Sequence, residues 1–199
     1  KNGYYPLKGT IHQITVDGVP IAAVVKRENF DFYTGSQLKN KNLVDSAMGY
    51  FQKAAAYNPI NEAPYREMGY IKMVQNQLPE AVSYLNKAIA LCPENYYAYT
   101  YLGYIYQQMK KVDSSYYSFS KAIEYKENMS NAWEGLGSIA LDKNDAATAK
   151  KHFIKSLEFG NQNVYLFYNL GRSYEALNYP DSALMYYNYA TQVNPQFPY

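Results

Sequence analysis

Between residues 28 and 197 the apolar positions follow two nested rhythms. At short range they recur three and four residues apart, which is the spacing of one face of an α-helix. At long range the pattern returns every 34 residues, most visibly in glycines at 35, 69, 103, 137 and 171. Placing this glycine at position 8 starts successive units at Glu28, Glu62, Tyr96, Ser130 and Val164. Position 4 then reads Asp31, Tyr65, Tyr99, Trp133 and Phe167, and position 7 reads Thr34, Met68, Leu102, Leu136 and Leu170. Together with positions 8 and 11 these residues mark the packed face of a first helix. A second helix shows in position 20 (Ala47, Ala81, Ser115, Ala149, Ala183) and position 24 (Phe51, Leu85, Phe119, Phe153, Tyr187). Position 27 (Ala54, Ala88, Ala122, Ser156, Ala190) completes its face. Small columns let helices approach, and the large column fills the space between them.

The breakers set the boundaries. Asn76, Lys110, Asn144 and Asn178 fall at position 15, and Pro59, Pro93 and Pro195 close three units, with Glu127 and Asn161 in the other two. The spacing predicts a first helix over positions 2 to 14 and a second over positions 18 to 31 of each unit. Pro79 and Pro180 stand where second helices begin, where a missing N–H costs little. The expected organisation is an N-terminal extension, 1–27, followed by repeats at 28–61, 62–95, 96–129, 130–163 and 164–199. Ten helices in antiparallel pairs result from this parse, each pair lacking a complete core and stabilised by its neighbours.

Tyr99, Leu102, Gly103, Tyr106, Phe119 and Ala122, with a closing proline, resemble the tetratricopeptide repeat family, and the resemblance covers residues 28 to 197. It implies an all-α chain, a right-handed superhelical solenoid of about five helix-turn-helix repeats, and a non-enzymatic scaffold for another protein or peptide. Lys72 and Ala140 depart from the usual aromatic at position 11, and Asp31 and Thr34 make the first repeat the least typical.

In this family the face of the first helix turned away from the second lines a concave groove. By the helical period that face is positions 2, 5, 9, 12 and 13. It carries Phe32, then Arg66 and Tyr70, then Thr100, Tyr104 and Gln107, then Asn131 and Glu134, then Tyr165, Tyr168 and Arg172, with Asn169 beside them at position 6. These are the candidate residues for binding an extended or helical peptide. Tyrosine and arginine bring large contact area at modest entropy cost, and amides can bond a peptide backbone. The family's clamp on a C-terminal carboxylate needs Lys at position 5 and Asn at position 9 of one repeat, and no repeat here has that pair. A chaperone-tail adaptor is therefore not expected.

Residues 1 to 27 fall outside the register. β-Branched residues from Ile11 to Val25 flank Val16-Asp17-Gly18-Val19, and Asp-Gly suits a tight type I′ turn, so a short β-hairpin is expected. Pro20 would then face away from the ladder or mark the start of a strand. Two strands alone are marginal in water, so the hairpin should pack on the first repeat or pair with a segment outside this chain. Thr15 to Lys26 also resembles the end of the extracytoplasmic part of multi-spanning glycosyltransferases. That resemblance implies an alternative function: a regulatory or substrate-presenting tail of a larger membrane enzyme, outside the cytoplasm, with the catalytic residues elsewhere.

Composition narrows the classes further. The formal charge is +2, from 19 basic and 17 acidic residues without a basic stripe, which argues against nucleic acid as a partner. The apolar run Val19 to Val25 is broken by Pro20 and falls far short of the roughly 20 residues of a membrane helix. Cys92 is the only cysteine, so an internal disulfide or a cysteine metal site is ruled out. His12 and His152 are far apart in the register, and His152, at position 23, is expected on the outer face in solvent. The glycines fall singly at packing positions rather than in a phosphate loop, and neither catalytic residues, a metal nor a cofactor is expected. The 25 tyrosines exceed what the repeat columns use, and part of the surplus falls on the groove positions. The chain begins at Lys1 and reads as a processed piece. It stops just after the fifth repeat's second helix, so Ala183, Leu184, Tyr187 and Ala190 are expected to be partly uncovered; either more repeats follow in the intact protein or two copies stack end to end, and concentration-dependent dimerisation of this piece is expected.

Overall fold

The computed structural model describes residues 15–16 and 19–197, with side chains from residue 29 onward. Ten α-helices lie among the described residues: α1 (Ile21–Asn40), α2 (Val44–Tyr57), α3 (Glu62–Val74), α4 (Leu78–Leu91), α5 (Tyr96–Gln108), α6 (Val112–Tyr125), α7 (Ser130–Asp142), α8 (Ala146–Glu158), α9 (Val164–Ala176) and α10 (Pro180–Val193). From α2 onward the bounds lie within a residue or two of those the spacing predicts. The first helix differs, since it begins at Ile21 rather than near Asn29.

That early start corrects the reading of the N-terminal extension. Thr15–Val16 pairs antiparallel with Val19–Pro20, Thr15 opposite Pro20 and Val16 opposite Val19. Ile21 to Val25, expected in the second arm of a hairpin, are instead the first residues of α1. A short apolar run carries no period of its own, and here it is continuous with the rest of α1. Pro20 is the last residue before that helix rather than the start of a strand. Residues 11–14 and the Asp17-Gly18 turn lie outside the described residues.

The chain divides into two compact bodies, residues 1–64 and residues 65–199. In the N-terminal body α1 packs on α2. Phe51 is fully buried there against Gly35 and the Phe32 ring, whose centroid is 5.5 Å away. Asp31 stands where later repeats carry an aromatic ring; it is buried, and its Oδ2 has no hydrogen-bond partner among the described residues.

In the C-terminal body the columns pack as their spacing requires. Ala81, Leu85, Ala88, Phe119, Ala122, Ala149 and Phe153 are fully buried. A Cβ added at Gly103 would meet the Phe119 ring at 2.5 Å, one at Gly137 the Phe153 ring at 2.5 Å, and one at Gly171 the Tyr187 ring at 2.4 Å. Position 8 is glycine because the position 24 ring lies directly on the first helix's backbone. Phe119 is held from both sides, since a Cβ at Gly135 of α7 would also meet it at 2.4 Å.

Each helix pair turns in the same way. Asn42, Asn76, Lys110, Asn144 and Asn178 have φ between +56° and +62°. The next residue's N–H bonds back to the first helix, as in Lys111 to the Tyr106 carbonyl at 2.8 Å and Tyr179 to the Tyr174 carbonyl at 2.9 Å. This is the six-to-one bond of a left-handed helix cap. Asparagine tolerates that conformation, whereas Lys110 is held in it by the surrounding repeat.

In the C-terminal body, α4 packs on α5, α6 on α7 and α8 on α9, joining successive pairs, and α5 and α9 also touch α7 directly. First helices therefore line the inner side of this body and second helices its outer side. The C-terminal end is better covered than expected. Ala183 and Ala190 are buried under α9, and the Tyr187 hydroxyl donates to Glu175 at 2.7 Å. Leu184 alone of the four is well exposed, at 61%. Phe197 folds back onto Tyr165 and Tyr168, with centroids 5.2 and 5.5 Å apart.

Candidate functional site

The inner face is built from α5, α7, α9 and the part of α3 within the C-terminal body. Its residues divide by register into those committed to packing and those left open. Position 5 belongs to the first group. Thr100 is 1% exposed, with its hydroxyl donating to the Tyr96 carbonyl at 2.8 Å. Glu134 accepts from the Asn161 amide at 2.7 Å and the Asn163 amide at 2.9 Å, which ties the loop before α9 to α7. Tyr168 lies against Tyr187 and Phe197. Arg66 pairs with the buried Glu67 at 3.0 Å and lies 5.5 Å from the Tyr97 ring centroid. Phe32, in the N-terminal body, packs on Phe51. The period places position 5 away from the second helix, but at Glu134 the chain leaving α8 returns across it. Thr100 is enclosed and Glu134 already bonded, a correction to their reading as open groove residues.

Position 9 is half committed. The Tyr104 ring stands edge-on to Phe119 at 5.1 Å, and its hydroxyl donates to the Asn131 carbonyl at 3.1 Å. Burial, and then the nearby Glu134 carboxylate, hold its phenol well above the usual tyrosine range. Tyr70 packs on Tyr101 at 5.1 Å. Arg172 is exposed, with Nη1 donating to the Asn169 Oδ1 at 3.4 Å and the guanidinium 5.9 Å from the Tyr168 ring.

What the inner side leaves open is therefore Tyr97, Asn131, Tyr165 and Arg172, all exposed, with Asn169 beside them. Gln107 is part-buried and lines a cleft of about 390 Å³ with Ile139 and Asp142. Tyr101 was not among the residues singled out from the sequence. Burial, and then Glu67, push its phenol up to about 12. It sits at position 6, next to the packed column, and only its contact with Tyr70 reveals it. His152 also departs from expectation. Its ring packs at a tilt on Trp133, 5.4 Å between centroids, and burial lowers its pKa against the opposing pull of Asp145.

Rings, amides and one guanidinium suit contact with a polypeptide. Among the described residues no group of His, Cys, Asp and Glu could hold a metal ion, and no helix is long and apolar enough to cross a membrane.

A family model for the TPR repeat matches residues 69–110, and a model for the tetratricopeptide repeat matches residues 164–197. The chain is a tetratricopeptide repeat protein. Both matched stretches carry the Gly and second-helix columns described above, in α3 to α5 and in α9 to α10. As a tetratricopeptide repeat protein it shares its fold with Pseudomonas aeruginosa PilF, at a TM-score of 0.79 and 18% identity over 88% of this chain and 80% of that one. The APC/C hetero-tetramer Cut9–Hcn1 gives a TM-score of 0.76 at 18% identity, over 88% of this chain and 37% of that one. YrrB, a TPR protein with an unusual peptide-binding site, gives 0.63 at 20% identity over 88% and 92%. At such identities the likeness speaks for the fold. A comparison with curated proteins finds no match.

Proposed function

We propose that this tetratricopeptide repeat protein is an interaction scaffold of five repeats, beginning at Glu28, Glu62, Tyr96, Ser130 and Val164, that holds an extended or helical segment of another protein. The segment lies on the first-helix face of the C-terminal body. The observation that carries this reading is the pairing of open side chains with ordered ones behind them. Tyr97 rests on Tyr96 at 4.5 Å and beside Arg66, and Tyr165 rests against Phe197. Rings fixed in this way lose little freedom on binding, the condition under which an aromatic or arginine anchor contributes about 2 kcal/mol or more. The glycosyltransferase alternative rests on the resemblance of Thr15 to Lys26 alone.

The test is affinity capture from the source cell's extract, comparing wild type with Tyr97→Ala, Asn131→Ala and Arg172→Ala combined. All three residues are exposed, so the melting curve should stay put while a specific protein partner is lost. Undiminished capture by the triple variant would rule out this face.

A further inference from the structure

On the outer side of the C-terminal body a position 23 ring packs on a first-helix ring in two repeats, and in a third the ring is missing. Position 23 reads Tyr84, Ser118, His152 and Tyr186 along this body. The His152 ring lies 5.4 Å from that of Trp133 with the planes 33° apart, and Tyr186 stacks on Tyr174 at 5.3 Å with the planes 15° apart. Ser118 supplies no ring. Beside it a cavity of about 500 Å³ opens between α4 and α6, walled by Tyr99, Tyr106 and Tyr117, whereas the matching space at His152 is about 170 Å³.

A second substitution falls on the same spot. Lys150, at position 21 of the preceding repeat, holds its Nζ 5.3 Å from the Tyr174 ring centroid. The residue in that place before Tyr106 is Val82, and among the described residues no cation lies over Tyr106. At α9 and α10 the chain thus provides the position 11 tyrosine with both a stacked plane and a positive charge. At α5 and α6 Tyr106 has neither, and Lys121, the cation near Tyr99 and Tyr117, is paired with Glu124 at 2.8 Å, yet the chain keeps the tyrosine. It also adds Tyr117, where the other repeats have Gly49, Ser83, Lys151 and Met185. The Asp113 carboxylate and the Asn86 amide line the same cavity. Ser118 itself is satisfied, since its hydroxyl donates to the Ser114 carbonyl at 2.7 Å.

One side chain is planar and permanently cationic at once. We infer that the cleft between α4 and α6 binds an arginine side chain of a partner protein, its guanidinium stacked on Tyr106 and Tyr117 with Asp113 as counter-charge. Guanidinium stacks on aromatic faces, is always charged and bonds carboxylates in its own plane. An ammonium lacks the plane, and a neutral ring lacks the charge. This site is on the opposite side from the proposed peptide face and does not depend on it.

The test uses three capped pentapeptides, with glycine at every position except the centre, which is arginine, lysine or norleucine. Ring signals of the full chain are followed by NMR titration. The arginine peptide should bind at least tenfold more tightly than the other two. Ser118→Tyr, which restores the missing ring, should weaken it at least tenfold, and so should Tyr117→Ala and Asp113→Asn. The last two residues are exposed, so they give the answer even if Ser118→Tyr does not fold. Tyr97→Ala should leave the affinity unchanged. Equal binding of the three peptides, or arginine binding indifferent to Tyr117→Ala and Asp113→Asn, would overturn the assignment.

Discussion

In the α5/α6 pair the position 24 ring, Phe119, is fully buried between Gly103 of its own pair and Gly135 of α7. In the α9/α10 pair the corresponding ring, Tyr187, lies on one glycine, Gly171, beside Tyr168, and keeps a hydroxyl on Glu175 at the surface. The same ring-on-glycine contact therefore joins three helices inside the array and two at its end. Elsewhere the pairs differ in the opposite sense. The outer cleft of the end pair is filled by its own Tyr186 and by Lys150 of α8, and that of the inner pair is open. Columns that recur hold the helices together, and departures from them mark surfaces free to do something else.

The strongest way to break this comparison is to remove the two rings. Phe119→Ala should cost about 3 to 5 kcal/mol, the usual loss for a buried Phe, and Tyr187→Ala about half as much, read by urea unfolding. Equal losses would mean that the second glycine contact contributes nothing. Adding a methyl group to the glycines gives the next largest effect. Gly103→Ala should destabilise by about 1 to 3 kcal/mol through overpacking. Gly49→Ala, where a Cβ would meet nothing within 4 Å, should stabilise by about 0.5 to 1 kcal/mol through helix propensity.

Titration sharpens the same contrast. The folded chain keeps the Tyr101 proton up to about pH 12, whereas the unfolded chain releases it near 10. The Tyr101 share of stability is therefore intact below pH 10 and falls by about 2 kcal/mol toward pH 12, a share that Tyr101→Phe should remove while the loss through Tyr104 stays. His152 acts at the other end of the scale. Its folded pKa is lowered, so its contribution is present above 6.5 and is lost as the pH falls below it. His152→Phe should flatten the acid limb of a plot of melting temperature against pH. The smallest effect belongs to the turns. Lys110→Asn, at φ +56°, should raise stability by about 0.5 to 1 kcal/mol, and Asn144→Lys should lower it by as much.

The helices, their pairing and the ring column were legible in the sequence because one period repeated them in register. The position 15 breakers were legible too, and their left-handed φ gives the reason for the asparagines. The inner face was legible only in part. Helical period tells which way Thr100 and Glu134 point, but not that Asn161 and Asn163 come back to bond Glu134. Such returns depend on the path of a loop, which carries no periodic signal. The extension misled for a related reason, since Ile21 to Val25 are β-branched or small and are helical only as the opening turns of a helix that runs on to Asn40. Ala183 and Ala190 of α10 were expected to be partly uncovered because the columns do not tell how far α9 alone encloses them.

The most direct measurement is site-specific photocrosslinking in cell extract, with the reactive side chain placed singly at Tyr97, Asn131, Asn188 or Gln192. All four residues are exposed, the first two on the first-helix face and the last two on α10. A partner held as proposed should give one shared adduct from residues 97 and 131 and none from 188 and 192. An adduct formed from α10 alone would contradict the first-helix face as the place where this scaffold holds its partner.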